Sequence, residues 1–254
     1  MHILVCVKRV PATGARITLT PDAQHIETRN LGFTVSPHEE CAVEEAVRIA
    51  EAHGGETAVL TLGPAEAEEQ LRSALAVGID RAILLETDGE EWGPRATAAA
   101  IAAAIRQQEA TGRPFDLLLF GNESADSGGY QVGVRVAHAL DRPVITGVKA
   151  LEIAGGLARA GREGPNGWEV YELPLPAAFT VKEGINLPRY PSVPGRLRAK
   201  KKTIEQLSPQ RDGAGLRKLR LALPPEEHAE AISLGNGPEA APKIVEVLRA
   251  LELL

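Results

Sequence analysis

The segment richest in groups that could do chemistry is Gly121-Asn122-Glu123-Ser124-Ala125-Asp126-Ser127-Gly128-Gly129-Tyr130-Gln131. Its small residues let backbone amides approach a ligand, and Gly133 onward begins a helical pattern whose free amides favour an anion. Phosphate binding is one reading, and a tight strand-to-helix turn capped by Ser and Asp is the other. The loop is neither a Walker A sequence nor G-x-G-x-x-G. A second helix entry, Ser36-Pro37-His38-Glu39, has the form of a capping box with Pro in the first turn. Placed beside the first loop, it would frame one nucleotide pocket. Glu123 and Asp126 are acid and base candidates that capping explains equally well. His2, His25, His38, His53, His138 and His228 have no metal-like spacing with Cys or with each other. G-x-S-x-G and H-E-x-x-H are absent, so no catalytic residue is assigned. Cys6 and Cys41 sit among apolar residues and are expected to be buried thiols in a reducing compartment.

A third constellation is basic: Arg189, Arg196, Arg198, Lys200, Lys201 and Lys202, interleaved with Tyr190, Val193 and Leu197 and kinked by Pro188, Pro191 and Pro194. A charge run is most often a solvated loop. Apolar side chains displayed amid positive charge favour protein docking over nucleic acid. The whole chain is acidic, with 28 Lys+Arg against 34 Asp+Glu, which argues against general nucleic-acid binding.

The elements that must position these groups alternate along the first half. Apolar strand patterns at Met1–Val10, Thr57–Leu62, Arg81–Leu85, Phe115–Phe120 and Pro143–Val148 are separated by helical patterns. These helices begin at Ser36, follow Gly63-Pro64, and cover Pro94–Gln107 and Gly133–Leu140. Near-continuous apolar strands between helices imply βαβ units and a mainly parallel, doubly wound α/β sheet covered on both faces over about residues 1–150. Pro11–Val35 is a long excursion in which Arg16–Thr20 alternates like a hairpin strand. Leu151–Ala160 and Trp168–Leu175 read as two strands around a turn at Gly161–Gly167, followed by a strand at Ala177–Val181. Glu183–Arg198 is too rich in Pro, Arg and Gly to be a helix. Beyond Lys200 the chain is polar, with breakers including Gly213, and ends in an amphipathic helix from Pro242. The division expected is a domain at 1–205, with an extended tail at 206–254 that wraps a neighbour. No apolar run reaches the ~18 residues of a membrane span, and no secretory signal pattern opens the chain, so a cytoplasmic protein without membrane insertion is expected.

Four stretches bring a known family into view. Ile3–Pro11, Ser36–Arg48, Gly121–Gly133, and Asn186–Pro194 with Ala199–Glu205 resemble the beta subunit of electron transfer flavoprotein. The last is the most specific, because few families set such a loop before a lysine run. The resemblance implies a heterodimer with an alpha subunit that chiefly holds one FAD. It implies electron transfer from flavin dehydrogenases to electron transfer flavoprotein-quinone oxidoreductase. It also implies an AMP with no redox role, held by Cys6, Ser36–Glu39, Leu62 and Gly121–Val132. The recognition loop would be Arg189-Tyr190-Pro191-Ser192-Val193-Pro194-Gly195-Arg196-Leu197-Arg198. Val193 stands where the family commonly has Leu, and the missing methylene is worth up to ~1 kcal/mol of burial. Tyr130 and Val132 flank Gln131 where relatives often have Asn and Thr, so two side-chain donors are lost. An electron-bifurcating branch places a second FAD in the AMP site. Two rivals share the core: an ATP-pyrophosphatase-type enzyme and a stress-type nucleotide sensor. The missing enzyme motifs count against the first, and the second would have no use for the basic loop or the tail.

Overall fold

Successive residues of a strand point to opposite faces, and the first strand shows what that does here. In β1 (His2–Cys6), Ile3 and Val5 enter one apolar cluster while Leu4 and Cys6 enter another. Both clusters are buried, so the sheet must be covered on each side. The computed structural model describes residues 1–12, 14, 16–211, 218–225 and 231–254. Two units are distinct along the chain, Met1–Leu219 and Arg220–Leu254.

The first unit is built on a nine-stranded sheet. After β1 come a two-residue pair, β2 (Val10–Pro11) with β3 (Phe33–Thr34), then α1 (Pro37–His53), β4 (Glu56–Gly63), α2 (Glu68–Val77), β5 (Arg81–Glu86), α3 (Pro94–Thr111), β6 (Leu117–Gly121) and α4 (Val132–Ala139). β7 (Val144–Ala154), β8 (Leu157–Gly164), β9 (Gly167–Pro174), β10 (Ala177–Val181), α5 (Val193–Lys201) and β11 (Ile204–Leu207) complete it. The strand order is β11-β5-β4-β1-β6-β10-β7-β8-β9, parallel from β11 to β7 and antiparallel through β8 and β9. The fold is the expected mainly parallel, doubly wound α/β type. Ile3 and Val5 pack with Cys41, Ala46 and Leu71 of α1 and α2, whereas Leu4 and Cys6 pack with Ile101, Ile105 and Val136 of α3 and α4.

Three sequence expectations change. The Glu183–Arg198 stretch is not wholly irregular, because α5 occupies Val193–Lys201. Pro194 lies in the first turn, where its missing amide has no partner to lose. Ser192 caps the helix by accepting the Gly195 amide at 3.1 Å. Second, Leu151–Ala160 is not one strand. β7 turns at Gly155-Gly156 into β8, and β8 turns at Pro165-Asn166 into β9. Third, Ile204–Leu207 continues the sheet in parallel beside β5, in a stretch whose polarity hid it. Among the described residues, the hairpin expected at Arg16–Thr20 is reduced to a single bridge, Leu19 to Ile26.

In the second unit, α6 (Ala241–Ala250) follows a short helical turn at Gly237–Ala240. Gly213 and His228 lie outside the described residues. Among the described residues no helix is long and apolar enough to cross a membrane.

Candidate functional site

The chain reverses its direction of travel across the sheet at β1. From β1 it steps to β4 and β5, then returns through α3 to β6 on the other side of β1. Loops diverge at such a switch point and leave a crevice beyond the strand C-termini. The loops found there are the ones singled out by their chemistry. Cys6 ends β1, Gly121 ends β6 and opens the Asn122–Gln131 loop, and Ser36–Glu39 begins α1. Leu62 lies at the same edge near the end of β4, two residues past the Leu60 that pairs with Cys6.

Glu39 ties these pieces together. Its carboxyl accepts the Ser36 amide at 3.0 Å, the reciprocal arm of the capping box, and the Lys8 amide at 2.8 Å. Ser36 Oγ lies 3.1 Å from Glu39 Oε2 and 3.2 Å from the Glu123 carbonyl, which joins α1 to the β6 loop. Burial pushes the Glu39 carboxyl up to about 8, against the pull of these donors and of Lys8. The approach is close enough to require glycine at 121: a Cβ there would stand 2.5 Å from Glu39 Cγ. Cys6 is buried, and its thiol is pushed far up by desolvation and by Glu39, so it is an inert packing group.

The two acidic residues of the loop are both engaged. Asp126 accepts from Lys8 Nζ at 2.6 Å; burial opposes its charge, but Lys8 prevails and holds the carboxyl below its usual range. Glu123 lies 3.3 Å from His38 Nε2. His38 Nδ1 in turn accepts the Glu183 amide at 2.7 Å, so the ring proton belongs on Nε2, facing Glu123. Tyr130 holds a left-handed φ of 53°, costly for a side chain of its size. The nearby Glu123 carboxylate raises the Tyr130 phenol.

The amides at the start of α4 stand apart from this pairing. Gln131 is the N-cap residue, but its side chain caps no amide; Oε1 instead accepts from Arg135 at 2.9 and 3.1 Å. The first turn of α4 therefore keeps donors for an outside acceptor. With Asp126 paired to the Lys8 ammonium and Glu123 facing the His38 Nε2–H, the free amides of this turn suit a phosphate. Ser124 and Ser127 hydroxyls, 2.8 Å apart, and the exposed Ala125, Gly128 and Gly129 complete the loop. Pro37 is exposed at the α1 entry.

Beside the loop lies an open cleft of about 440 Å³, which sequence reasoning did not anticipate. Asn122, Tyr130, Thr180, Lys182 and Arg162 are among its lining residues. Thr180 Oγ1 donates to Asn122 Oδ1 at 2.9 Å, and Arg162 is held by Glu169 at 2.6 Å. Lys8 was also missed as the partner of Asp126. Among the described residues, no group of three or more His, Cys, Asp or Glu is placed to hold a metal ion.

The Arg189–Arg198 segment lies elsewhere on the first unit and divides by role. Tyr190 is 95% exposed, Val193 73% and Leu197 57%. Pro191 is half-buried, and Pro194, Arg196 and Arg198 are exposed. Ser192 and Gly195 build the α5 cap; a Cβ at Gly195 would stand 2.3 Å from the Ala76 carbonyl, so glycine lets α5 meet α2. The Arg189 guanidinium is turned inward onto Glu44 and Glu51 of α1.

Comparison with known proteins agrees with this architecture. The model of the electron transfer flavoprotein domain matches residues 25–212. The electron transfer flavoprotein subunit beta of Bacillus subtilis is 35% identical over 98% of both chains. The corresponding subunit of Thermoanaerobacterium thermosaccharolyticum is 33% identical over the full length of both. The human subunit is 34% identical over 82% of each. With a switch-point crevice, paired loop carboxylates and kinship at full length, the chain belongs to the electron transfer flavoprotein beta-subunit family.

Proposed function

We propose that this chain pairs with an electron transfer flavoprotein alpha subunit and binds AMP in the crevice between the ends of β1 and β6. In this reading it supports an FAD held mainly by the alpha subunit. It docks flavin dehydrogenases through the Tyr190–Arg198 face and hands electrons toward electron transfer flavoprotein-quinone oxidoreductase in the cytoplasm. α6 packs on the alpha subunit. The chain is an electron-carrier subunit and does no bond chemistry of its own.

The observation that carries the reading is the uncapped first turn of α4 beside the α1 entry. Its amides have no side-chain cap and are free for a phosphate, while Lys8 neutralises Asp126 and the His38 Nε2–H turns to Glu123. Gly121–Val132 would hold the phosphate through backbone donors, so the loss of side-chain donors at Tyr130 and Val132 is tolerable. Cys6 and Leu62 would pack against the nucleoside. AMP supplies structure here and no electrons. A second reading, FAD in place of AMP, draws on the adjoining cleft, which offers room beyond a mononucleotide and the cation Lys182, Arg162 being engaged by Glu169.

Co-expression with the alpha subunit, purification, denaturation and identification of the released nucleotides tests both. One FAD and one AMP per pair is the expected result. Two FAD per pair would establish the second reading, and failure to form a stable pair would overturn both.

A further inference from the structure

The docking segment contains one arginine that does not face outward. Arg189 Nε lies 2.9 Å from Glu44 Oε2 and Nη2 lies 3.0 Å from Glu44 Oε1, while Nη1 and Nη2 reach the two oxygens of Glu51 at 2.6 and 2.9 Å. The Arg189 amide also donates to Glu44 at 3.1 Å. A guanidinium has five N–H donors in a rigid fork, and here both edges of the fork are engaged by carboxylates. Little donor capacity remains for a partner, and the cluster of one cation and two anions does not attract an acidic surface. Three residues upstream, Asn186 Nδ2 donates to the Cys41 carbonyl at 3.0 Å and to Glu45 Oε2 at 2.9 Å. Cys41, Glu44, Glu45 and Glu51 all belong to α1, so one helix receives both anchors.

Between and beside these anchors stand Leu187, 91% exposed, and Tyr190, 95% exposed. Burial does not hold them in place. Their neighbours do.

We infer that the Glu44–Arg189–Glu51 fork and Asn186 position the docking loop on α1, so that Arg189 is a positioning residue and Leu187 and Tyr190 join Val193 as the apolar contact. The inference rests on the docking reading above and deepens it. A loop already held in its bound form does not lose ordering entropy on association, which strengthens binding without a new contact. The attractive charge then comes from α5, where Arg196, Arg198, Lys200 and Lys201 are exposed.

The test uses the assembled alpha–beta pair and the purified flavin dehydrogenase that reduces the wild-type pair fastest. Arg189→Lys keeps the charge but cannot fork both carboxylates. Glu51→Gln, at an exposed position, loosens one arm and leaves the buried Glu44 paired. Hydrogen exchange of the Leu187, Arg189 and Tyr190 amides in the free pair is expected to quicken about tenfold in Arg189→Lys and less in Glu51→Gln. The KM for the pair as electron acceptor should rise about tenfold with kcat within about twofold, at unchanged FAD content. A raised KM with unchanged exchange would make Arg189 a direct contact and overturn the inference. Unchanged KM in both variants, with KM raised by Val193→Ala, would also overturn it while leaving the docking reading intact. Unchanged KM in all three would remove the docking reading itself.

Discussion

At the scale of single residues, Glu39 is where fold and site meet. It is buried, accepts backbone amides from α1 and from the segment after β1, and lies against the glycine that ends β6. Its carboxyl is pushed from 4.5 up to about 8, chiefly by burial. The folded chain therefore binds a proton that the unfolded chain releases across that window. Stability from this group is full below about 4.5 and is lost as pH rises toward 8, because the native state binds more protons there. Glu39→Gln removes the titration. Urea midpoints at pH 5 and 8 should show the wild type losing stability over this interval and the variant losing less. An identical pH slope in both proteins would mean that other groups set it. The neighbouring carboxylates differ in kind: Asp126 is partly exposed and held ionised by Lys8, so the same chemical group plays opposite electrostatic parts within one crevice.

At the scale of elements, α5 is the informative case. Its sequence contains Pro194 and Gly195, and both read as helix breakers. In place, the proline falls in the first turn and the glycine meets the Ala76 carbonyl, so both serve the helix. The last turn carries Arg198, Lys200 and Lys201, which complement the dipole. Ser192→Ala should cost about 1 kcal/mol by removing the cap to the Gly195 amide, read as a lowered denaturant midpoint with unchanged slope. No shift would show that packing on α2 suffices. The alternating strands and helices before residue 150 were legible because each carries its own apolar pattern. β11 was not, since four residues in a polar stretch become a strand only when α5 returns them beside β5. The β7–β8 turn was misplaced because two glycine groups compete locally. Gly161 proves to lie within β8, paired with Val170 of β9. In the site, the loops were legible from composition, and so was their anion chemistry. Lys8 with Asp126, and Glu44 with Arg189, were not, because each pair is joined only by folding across more than a hundred residues. Glu44 and Glu51, seven apart on α1, were the available hint that one helix face offers paired carboxylates.

At the scale of the whole molecule, a formal charge of −6 coexists with a basic helix, α5, and with an apolar stripe on α6. Ile244, Val247, Leu248 and Leu251 recur at helical spacing, with Glu246 and Arg249 between them. Ile244 is 46% exposed and Leu251 61%, although such side chains gain about 1.5–3 kcal/mol each when fully buried. A ten-residue helix is too short to persist on propensity in water, so this stripe needs a surface to cover it. On the proposed function, the alpha subunit would provide one. Ile244→Asp with Leu251→Asp would put two charges where two apolar groups are desolvated. The dissociation constant of the alpha–beta pair should rise at least about 100-fold, as measured by sedimentation or calorimetry. The main thermal transition of the beta chain alone should stay in place, because the sheet and its two apolar clusters belong to Met1–Leu219. Undiminished pairing by the double variant would place the alpha-subunit contact on other parts of the chain.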